Sequence, residues 1–87
     1  MRVDKYLKVS RILKRRSVSK ELALHQRIEV NGKLVKPSYH VEIGDEITIT
    51  YGRRQMSVKV LELTQQVKKQ EATDMYEVIS EAWIEEE

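Results

Sequence analysis

The sequence predicts a small α+β domain, in which two N-terminal helices precede four or so short strands and a C-terminal helix. Three observations predict this class. Apolar residues recur at helical spacing up to about position 25, alternate with polar residues from position 28, and return to helical spacing after about position 70. Because no linker interrupts these 87 residues, we expect a single domain over 1–87, with a core motif at about 2–50 and an additional strand and helix at about 51–84.

The first helix is expected from Val3 to about Ser10, because its apolar residues fall one turn apart. Asp4 lies in its first turn, where a carboxylate suits the positive end of the helix dipole. A second helix is expected from about Ser17 to His25. The residues between them, 11–16, are expected to form a cationic connector, although a first helix that continued would place Arg11 on one face with Lys8.

The strands are expected to begin at Ile28–Val30, where apolar and polar residues alternate. Asn31-Gly32 follows, and this pair between alternating segments is the strongest short signal for a β-hairpin, because both central residues of a type I′ turn need positive φ. Further strands are expected over three segments: Val41–Ile43, Ile47–Tyr51, and Met56 to Leu61 or Leu63.

The last part of the chain is expected to form a helix from about Gln70. Its apolar residues recur at spacings of three and four: Ala72, Met75, Tyr76, Ile79 and Trp83. We expect this stripe to close the core over the sheet, and the alternative is a docking helix for a protein partner.

Charge is distributed unevenly along the chain. Residues 1–36 hold eleven Lys and Arg against three acids, a balance of +8, whereas residues 55–87 hold three Lys against eight acids, a balance of −5. A basic N-terminal third indicates a polyanion partner, and nucleic acid is the leading candidate. The alternative is a solvated basic face with no partner. Eight cations fall within the first twenty positions and are the predicted binding residues: Arg2, Lys5, Lys8, Arg11, Lys14, Arg15, Arg16 and Lys20.

Catalytic and metal-binding chemistry is not expected. The chain has no cysteine, its two histidines have no companion ligands at metal spacing, and its serines have no activating His-acid arrangement. We therefore expect a protein without enzymatic activity, cofactor or metal. No apolar run exceeds three residues, so we also expect no membrane partner and a cytoplasmic location. Tyr6, next to Lys5 and close to Lys8, is the aromatic residue with the best case for stacking on RNA.

A set of short motifs resembles the S4 RNA-binding domain. The matching residues, in the family's order and spacing, are Arg2-x-Asp4-x-x-Leu7, Arg16-Ser17, Leu22, Val30-Asn31-Gly32, Lys36-x-Ser38 and Gly44-Asp45-x-Ile47. The resemblance implies an αL motif, in which two helices pack on a small, bent antiparallel sheet and dock on structured RNA. It also implies roles for individual residues. The RNA-contacting positions would be Arg2, Lys5, Lys8, Arg11, Arg15 and Arg16, and Asp4 would orient Arg16 or another cation.

The whole chain is similar to the small stand-alone S4 proteins of ribosome-associated quality control, the RqcP or YabO group, and to their relative heat-shock protein fifteen. This similarity implies binding to large-subunit rRNA and to the P-site peptidyl-tRNA of a stalled subunit. It further implies cooperation with a tRNA-recruiting, RqcH-like factor that adds alanine tails. Two alternatives stay open: a heat-shock-type protein that rescues or recycles large subunits, and a generic structured-RNA-binding module.

Two positions depart from the family pattern. Arg15 stands where many S4 domains have Ser or Thr, and Gln26 stands where many have Gly. Because a left-handed Gln is strained by roughly 1 kcal/mol, we expect the second helix to end differently. A DNA-reading role for this helix is disfavoured, since its face offers Lys20 and Glu21 rather than Asn or Gln. An enzyme would need another domain, because S4 domains attached to enzymes do not carry the catalytic site.

Overall fold

The computed structural model describes residues 1–13, 21–63 and 74–83. Residues 21–24 are helical. The elements with both ends inside these ranges are α1 at Val3–Val9, β1 at Ile28–Val30, β2 at Lys33–Leu34, β3 at Glu46–Tyr51, β4 at Arg54–Val60 and β5 at Tyr76–Trp83. The predicted α+β class and the first helix are therefore confirmed.

The five strands form one antiparallel sheet in the order β2-β1-β3-β4-β5. The β1–β2 turn is Asn31-Gly32, with φ values of 53° and 83°, so both residues adopt the positive φ that a type I′ turn requires. The β3–β4 turn is Gly52-Arg53, and Gly52 has a φ of 62°. The predicted hairpin at Asn31-Gly32 is confirmed, and its register pairs Val30 with Lys33.

The core lies between the sheet and α1. Ile28, Ile47 and Val58 alternate with polar residues along their strands and are fully buried. From the helix, Val3 and Leu7 are likewise fully buried. Burying this apolar surface is the main force that holds the helix on the sheet, and it leaves the opposite helix face to solvent.

Tyr6 belongs to this core. Its side chain has no exposed surface, and its hydroxyl donates a 2.7 Å hydrogen bond to the carbonyl oxygen of Met75. Burial raises the pKa of the Tyr6 phenol, and the neighbouring Tyr76 raises it further. The prediction that Tyr6 stacks on RNA is therefore wrong. Lysines on either side in sequence indicated exposure, but the ring points to the opposite side of the helix.

The C-terminal end of each of the two helices is followed by a residue with positive φ. Arg11, two positions after α1 ends, has a φ of 62°, and Gln26 has a φ of 61°. The Gln26 and Arg27 N–H groups donate to the carbonyls of Ala23 and Leu22, at 3.2 and 2.8 Å. This is the hydrogen-bond pattern of a Schellman motif. The expectation that the second helix ends differently is wrong, because these two bonds hold Gln26 in the left-handed conformation. Because α1 ends at Val9, Arg11 does not continue it.

The predicted C-terminal helix is wrong. Residues 74 and 75 form a short 3₁₀ turn, and β5 follows along the edge of β4. Val78, Ile79 and the aromatic Trp83 favour a strand, and β4 offers its free edge for pairing. A register shift between Ser57 and Val58 leaves Ile79 without a partner in β4. Of the predicted apolar stripe, Met75 is buried whereas Ile79 and Trp83 are exposed, so the spacing of three and four does not mark a buried helix face. Residues 70–73 of the predicted helix lie outside the described residues.

The predicted strand at Val41–Ile43 is also wrong. His40 forms an isolated bridge with Arg2, and the Val41 N–H donates to the Met1 carbonyl at 2.9 Å. The chain then turns, because the Asp45 N–H donates to the Glu42 carbonyl at 3.1 Å. The strand predicted from Met56 ends at Val60 rather than at Leu61 or Leu63.

Candidate nucleic-acid interface

Arg2 and Asp4 form an ion pair at the start of α1. The Arg2 Nε and Nη2 atoms donate to the two Asp4 oxygens at 3.2 and 3.1 Å. The Asp4 side chain is 2% exposed and the Arg2 side chain 41% exposed. Asp4 also accepts the Lys5 backbone N–H at 2.8 Å. Among the residues that the structure describes, the carboxylate therefore holds the half-exposed Arg2 guanidinium in one orientation.

Three further predicted cations lie on or just after α1. Lys5 is half-buried, and Lys8 and Arg11 are exposed. Because Val3, Tyr6 and Leu7 point into the core, Lys5 and Lys8 lie on the other side of the helix, one turn apart. The left-handed Arg11 continues this surface beyond the helix end. We call Lys5, Lys8 and Arg11 the α1 cationic face. It can bind phosphate groups, because its positive charges lie on an open surface rather than inside an enclosed cavity.

The remaining predicted site residues of the N-terminal third lie outside the described residues. They are Lys14, Arg15, Arg16, Ser17 and Lys20.

A groove of about 610 Å³ opens beside Arg2. It lies between the end of the second helix, at Leu24 and Gln26, and the segment from Leu34 to Ser38. The segment is held against α1, since the Val3 N–H donates to the Tyr39 carbonyl at 2.7 Å. The groove is apolar along its walls and cationic at Arg2 and Lys36.

Sequence reasoning missed this second cationic surface. A smaller depression of about 340 Å³ joins the groove and is lined by Lys33, Lys36 and Tyr39, among others. The available signal was the Lys36-x-Ser38 motif, which indicated a family resemblance but no binding role. The hairpin turn brings Lys33 and Lys36 to one side of the molecule, and only the folded chain shows that Lys36 and Arg2 line one groove.

Asn31 and Gly32 lie in a turn that stabilises the fold, and they are not part of the cationic surfaces. The Asn31 side chain donates to Asp45 Oδ1 at 3.1 Å and accepts the Glu46 N–H at 3.0 Å. Asp45 in turn accepts the Glu42 N–H at 2.9 Å. The two turn motifs noted in the sequence, Val30-Asn31-Gly32 and Gly44-Asp45, therefore contact each other. Together they fix the β1–β2 hairpin against β3.

The described ranges hold no group of three or more His, Asp or Glu residues arranged to bind a metal. In the same part of the chain, no helix is long and apolar enough to cross a membrane.

The fold and this basic surface define the class. Residues 1–47, more than half of the chain, match the S4 domain, and the chain belongs to the S4 domain family. The resemblance seen in the short motifs is thereby confirmed. Within the family, the sequence is 52% identical over 86 residues to the RQC P-site tRNA stabilizing factor of Streptococcus pneumoniae, covering 99% of this chain and 98% of that protein.

Other relatives give the same assignment. The protein of the same name from Listeria monocytogenes is 49% identical over 81 residues, with 93% of this chain and 88% of the relative covered. Among solved structures, heat shock protein 15 of Vibrio cholerae, described as trimeric, superposes with a TM-score of 0.84 at 30% identity. That match covers 92% of this chain and 82% of the other.

Proposed function

We propose that this chain, acting as one domain over residues 1–87, binds RNA on the large ribosomal subunit and stabilises P-site tRNA during ribosome-associated quality control. The observation that carries the proposal is the 52% identity to an RQC P-site tRNA stabilizing factor over nearly the full length of both proteins. A match of this extent leaves little of either chain to supply a different activity.

The distribution of charge supports RNA as the ligand. The α1 cationic face presents Lys8 and Arg11 to solvent. The groove beside Arg2 presents Lys36, and the depression that joins it presents Lys33. Two separate cationic surfaces suit contact with two RNA segments at once. In this proposal one surface holds large-subunit rRNA and the other holds the tRNA backbone. Both read phosphate placement and helix shape rather than base sequence.

In this role the protein acts by binding RNA and does not catalyse a reaction. Peptidyl-tRNA held in one position remains available for alanine tailing by a tRNA-recruiting, RqcH-like factor, which is the partner that we propose. The chain needs no cofactor for this role, since binding energy from phosphate contacts supplies the stabilisation.

Sucrose-gradient sedimentation tests the proposal. The tagged protein is followed in lysate, and tRNA and nascent chain are measured in each fraction. We expect enrichment on large subunits that carry peptidyl-tRNA. Migration with small subunits, with free RNA or at the top of the gradient would remove the ribosomal role.

Arg16→Ala examines the predicted connector cation in the same gradient. We expect weaker association with large subunits, because a phosphate contact would be lost, and an unchanged CD spectrum. Lys59→Ala is the matched control, since Lys59 is an exposed cation on β4, away from both proposed surfaces. Unchanged association of Arg16→Ala, or loss of its native CD spectrum, would contradict the assigned role.

The second candidate is a heat-shock-type protein that rescues or recycles large subunits carrying peptidyl-tRNA. The superposition on heat shock protein 15, with a TM-score of 0.84, favours it. Deleting the chain's gene and measuring alanine tails on a stalled reporter separates the two. Shorter or absent tails support the tailing role, whereas unchanged tails with accumulated peptidyl-tRNA support the rescue role.

A further inference from the structure

Three exposed side chains lie side by side where β3, β4 and β5 meet the β3–β4 turn. The strand register pairs Tyr51 with Arg54, and Arg54 with Trp83. Residues paired directly across antiparallel strands place their side chains on the same face, with Cβ atoms about 5 Å apart. Trp83 is 77% exposed and Tyr51 56% exposed. The sheet therefore carries an aromatic–guanidinium–aromatic row, which we call the Tyr51–Arg54–Trp83 row.

The row continues the inner face of the sheet beyond the core. The next pair along the same face is Ile49 with Met56. Ile49 is buried and Met56 half-buried. The row itself is not buried in this way, and its two large aromatic rings are exposed to solvent. Because exposed Trp and Tyr rings gain strongly from covering contacts, the row is suited to a flat, apolar-faced ligand.

The same end of the sheet is rich in arginine. The Thr50 N–H donates to the Arg27 carbonyl at 2.9 Å, which places Arg27 at the end of β3. Because Arg27 lies across from Thr50, its side chain is on the face opposite the row. Arg53 lies in the β3–β4 turn, and both it and Arg27 are exposed. Arg54 pairs with Glu81. Since their side chains are 54% and 41% exposed, this pair contributes little and can open for another anion.

We propose that the Tyr51–Arg54–Trp83 row binds unpaired nucleotides of RNA. The bases stack on Trp83 and Tyr51, and the arginines neutralise the adjoining phosphates. Sheet-borne aromatic residues that stack bases are a recurring means of binding single strands, and the guanidinium plane adds a further stacking surface. Arg54 between the rings and Arg53 in the adjoining turn favour a polyanion over an apolar peptide, and Arg27 adds positive charge at the same end of the sheet. The inference rests on the proposed function only in taking RNA as the ligand, since the row is separate from the α1 cationic face.

Trp83 allows a direct test, because it is the only tryptophan in the chain. The full-length protein is titrated with a ten-nucleotide single-stranded RNA of mixed sequence and with a blunt RNA duplex of the same length. We expect the single strand to quench Trp83 emission, since stacking places a base on the ring, and the duplex to quench it much less. With labelled single strand, Trp83→Leu and Tyr51→Leu should each weaken binding about tenfold. Trp83→Phe should retain most of it.

Ile79→Ala is the matched control, because Ile79 is exposed on β5 but has no partner in β4, and its single-strand affinity should be unchanged. Thermal melts verify that each variant is folded. Unquenched Trp83 emission at saturating single strand, or Trp83→Leu affinity equal to wild type, would overturn the proposal. So would a change only in oligomeric mass, which would assign the row to contacts between copies. Quenching by single strand without large-subunit association would overturn the proposed function instead.

Discussion

Within residues 1–13, 21–63 and 74–83, two arginine–carboxylate pairs lie in different surroundings. At the start of α1, Arg2 holds Asp4, a carboxylate that is 2% exposed and also accepts a backbone N–H. On the paired strands β4 and β5, Arg54 pairs with Glu81, and both side chains are about half exposed. The first pair is enclosed by the segment that carries His40, which bridges to Arg2. The second lies on an open sheet face.

This difference distinguishes a pair that stabilises the fold from a pair that can exchange its partner for a ligand. A buried carboxylate that loses its hydrogen bonds is left desolvated, so the first pair must hold whenever the domain is folded. An exposed pair contributes between zero and about 1 kcal/mol, so Arg54 can exchange its partner for a ligand. The start of α1 is thus fixed by buried polar contacts, whereas Arg54 on the open face of β4 and β5 is available to a ligand.

Asn31→Val should have the largest effect. Val is β-branched and disfavours the φ of 53° found at position 31, and the change removes the side-chain bonds to Asp45 and Glu46. We expect the free energy of unfolding in urea to fall by about 3 kcal/mol. Asn31→Gly, which tolerates positive φ, should lose only about 1 kcal/mol. RNA binding should change only as far as the fold does, so a well-folded Asn31→Val protein with selectively lost binding would contradict this account.

Asp4→Asn weakens the buried pair at the start of α1. The neutral amide no longer accepts two charge-assisted bonds from Arg2, and we expect a loss of about 2 kcal/mol in unfolding free energy. Glu29→Gln, a carboxylate-to-amide change on a half-buried strand position, is the control. An unchanged urea midpoint for Asp4→Asn would show that the pair is not structural.

Gln26→Gly should stabilise the protein. Position 26 has a φ of 61°, which glycine adopts freely and glutamine does not. We expect the unfolding free energy to rise by about 1 kcal/mol, measured from thermal melts. His25→Gly, one position earlier, should lower stability. If Gln26→Gly melted at a lower temperature than wild type, the closing conformation assigned to this helix end would be wrong.

Glu81→Gln should leave stability within about 0.5 kcal/mol of wild type, because its partner Arg54 is solvated without it. Removing the competing carboxylate should raise single-strand RNA affinity up to about threefold. Anisotropy titration beside a urea melt measures both quantities on one preparation. A large loss of stability would erase the contrast between the two pairs.

The parts of the fold set by local signals were predictable from the sequence. Asn31-Gly32 specifies its own turn, and the alternation of Ile47 and Ile49 specifies a buried strand face. The errors arose where contacts with residues distant in the sequence determine the local structure. Residues 76–83 form a strand because they pair with the edge of β4. The spacing of their apolar residues in the sequence nevertheless resembles that of a helix. Tyr6 is buried because Met75, 69 positions later, accepts its hydroxyl.

The candidate site divides in the same way. Counting cations identified the α1 cationic face, since Lys8 and Arg11 are exposed as predicted. It did not identify Lys33 and Lys36, because only the β1–β2 hairpin and the segment after it bring Lys33 beside Lys36 and Lys36 beside Arg2. It also did not distinguish Arg2, whose guanidinium is held by a buried carboxylate, from the exposed cations Lys8 and Arg11.

In the proposed function, the α1 cationic face holds RNA by its phosphates. Equilibrium binding of the purified protein to large subunits with P-site tRNA, measured across a salt series, tests this directly. For Lys8→Ala and Arg11→Ala, we expect weaker binding and a salt-dependence slope smaller by about one for each lost contact, with Lys59→Ala unchanged. Slopes equal to wild type in both α1 variants, or an equal change in Lys59→Ala, would contradict it.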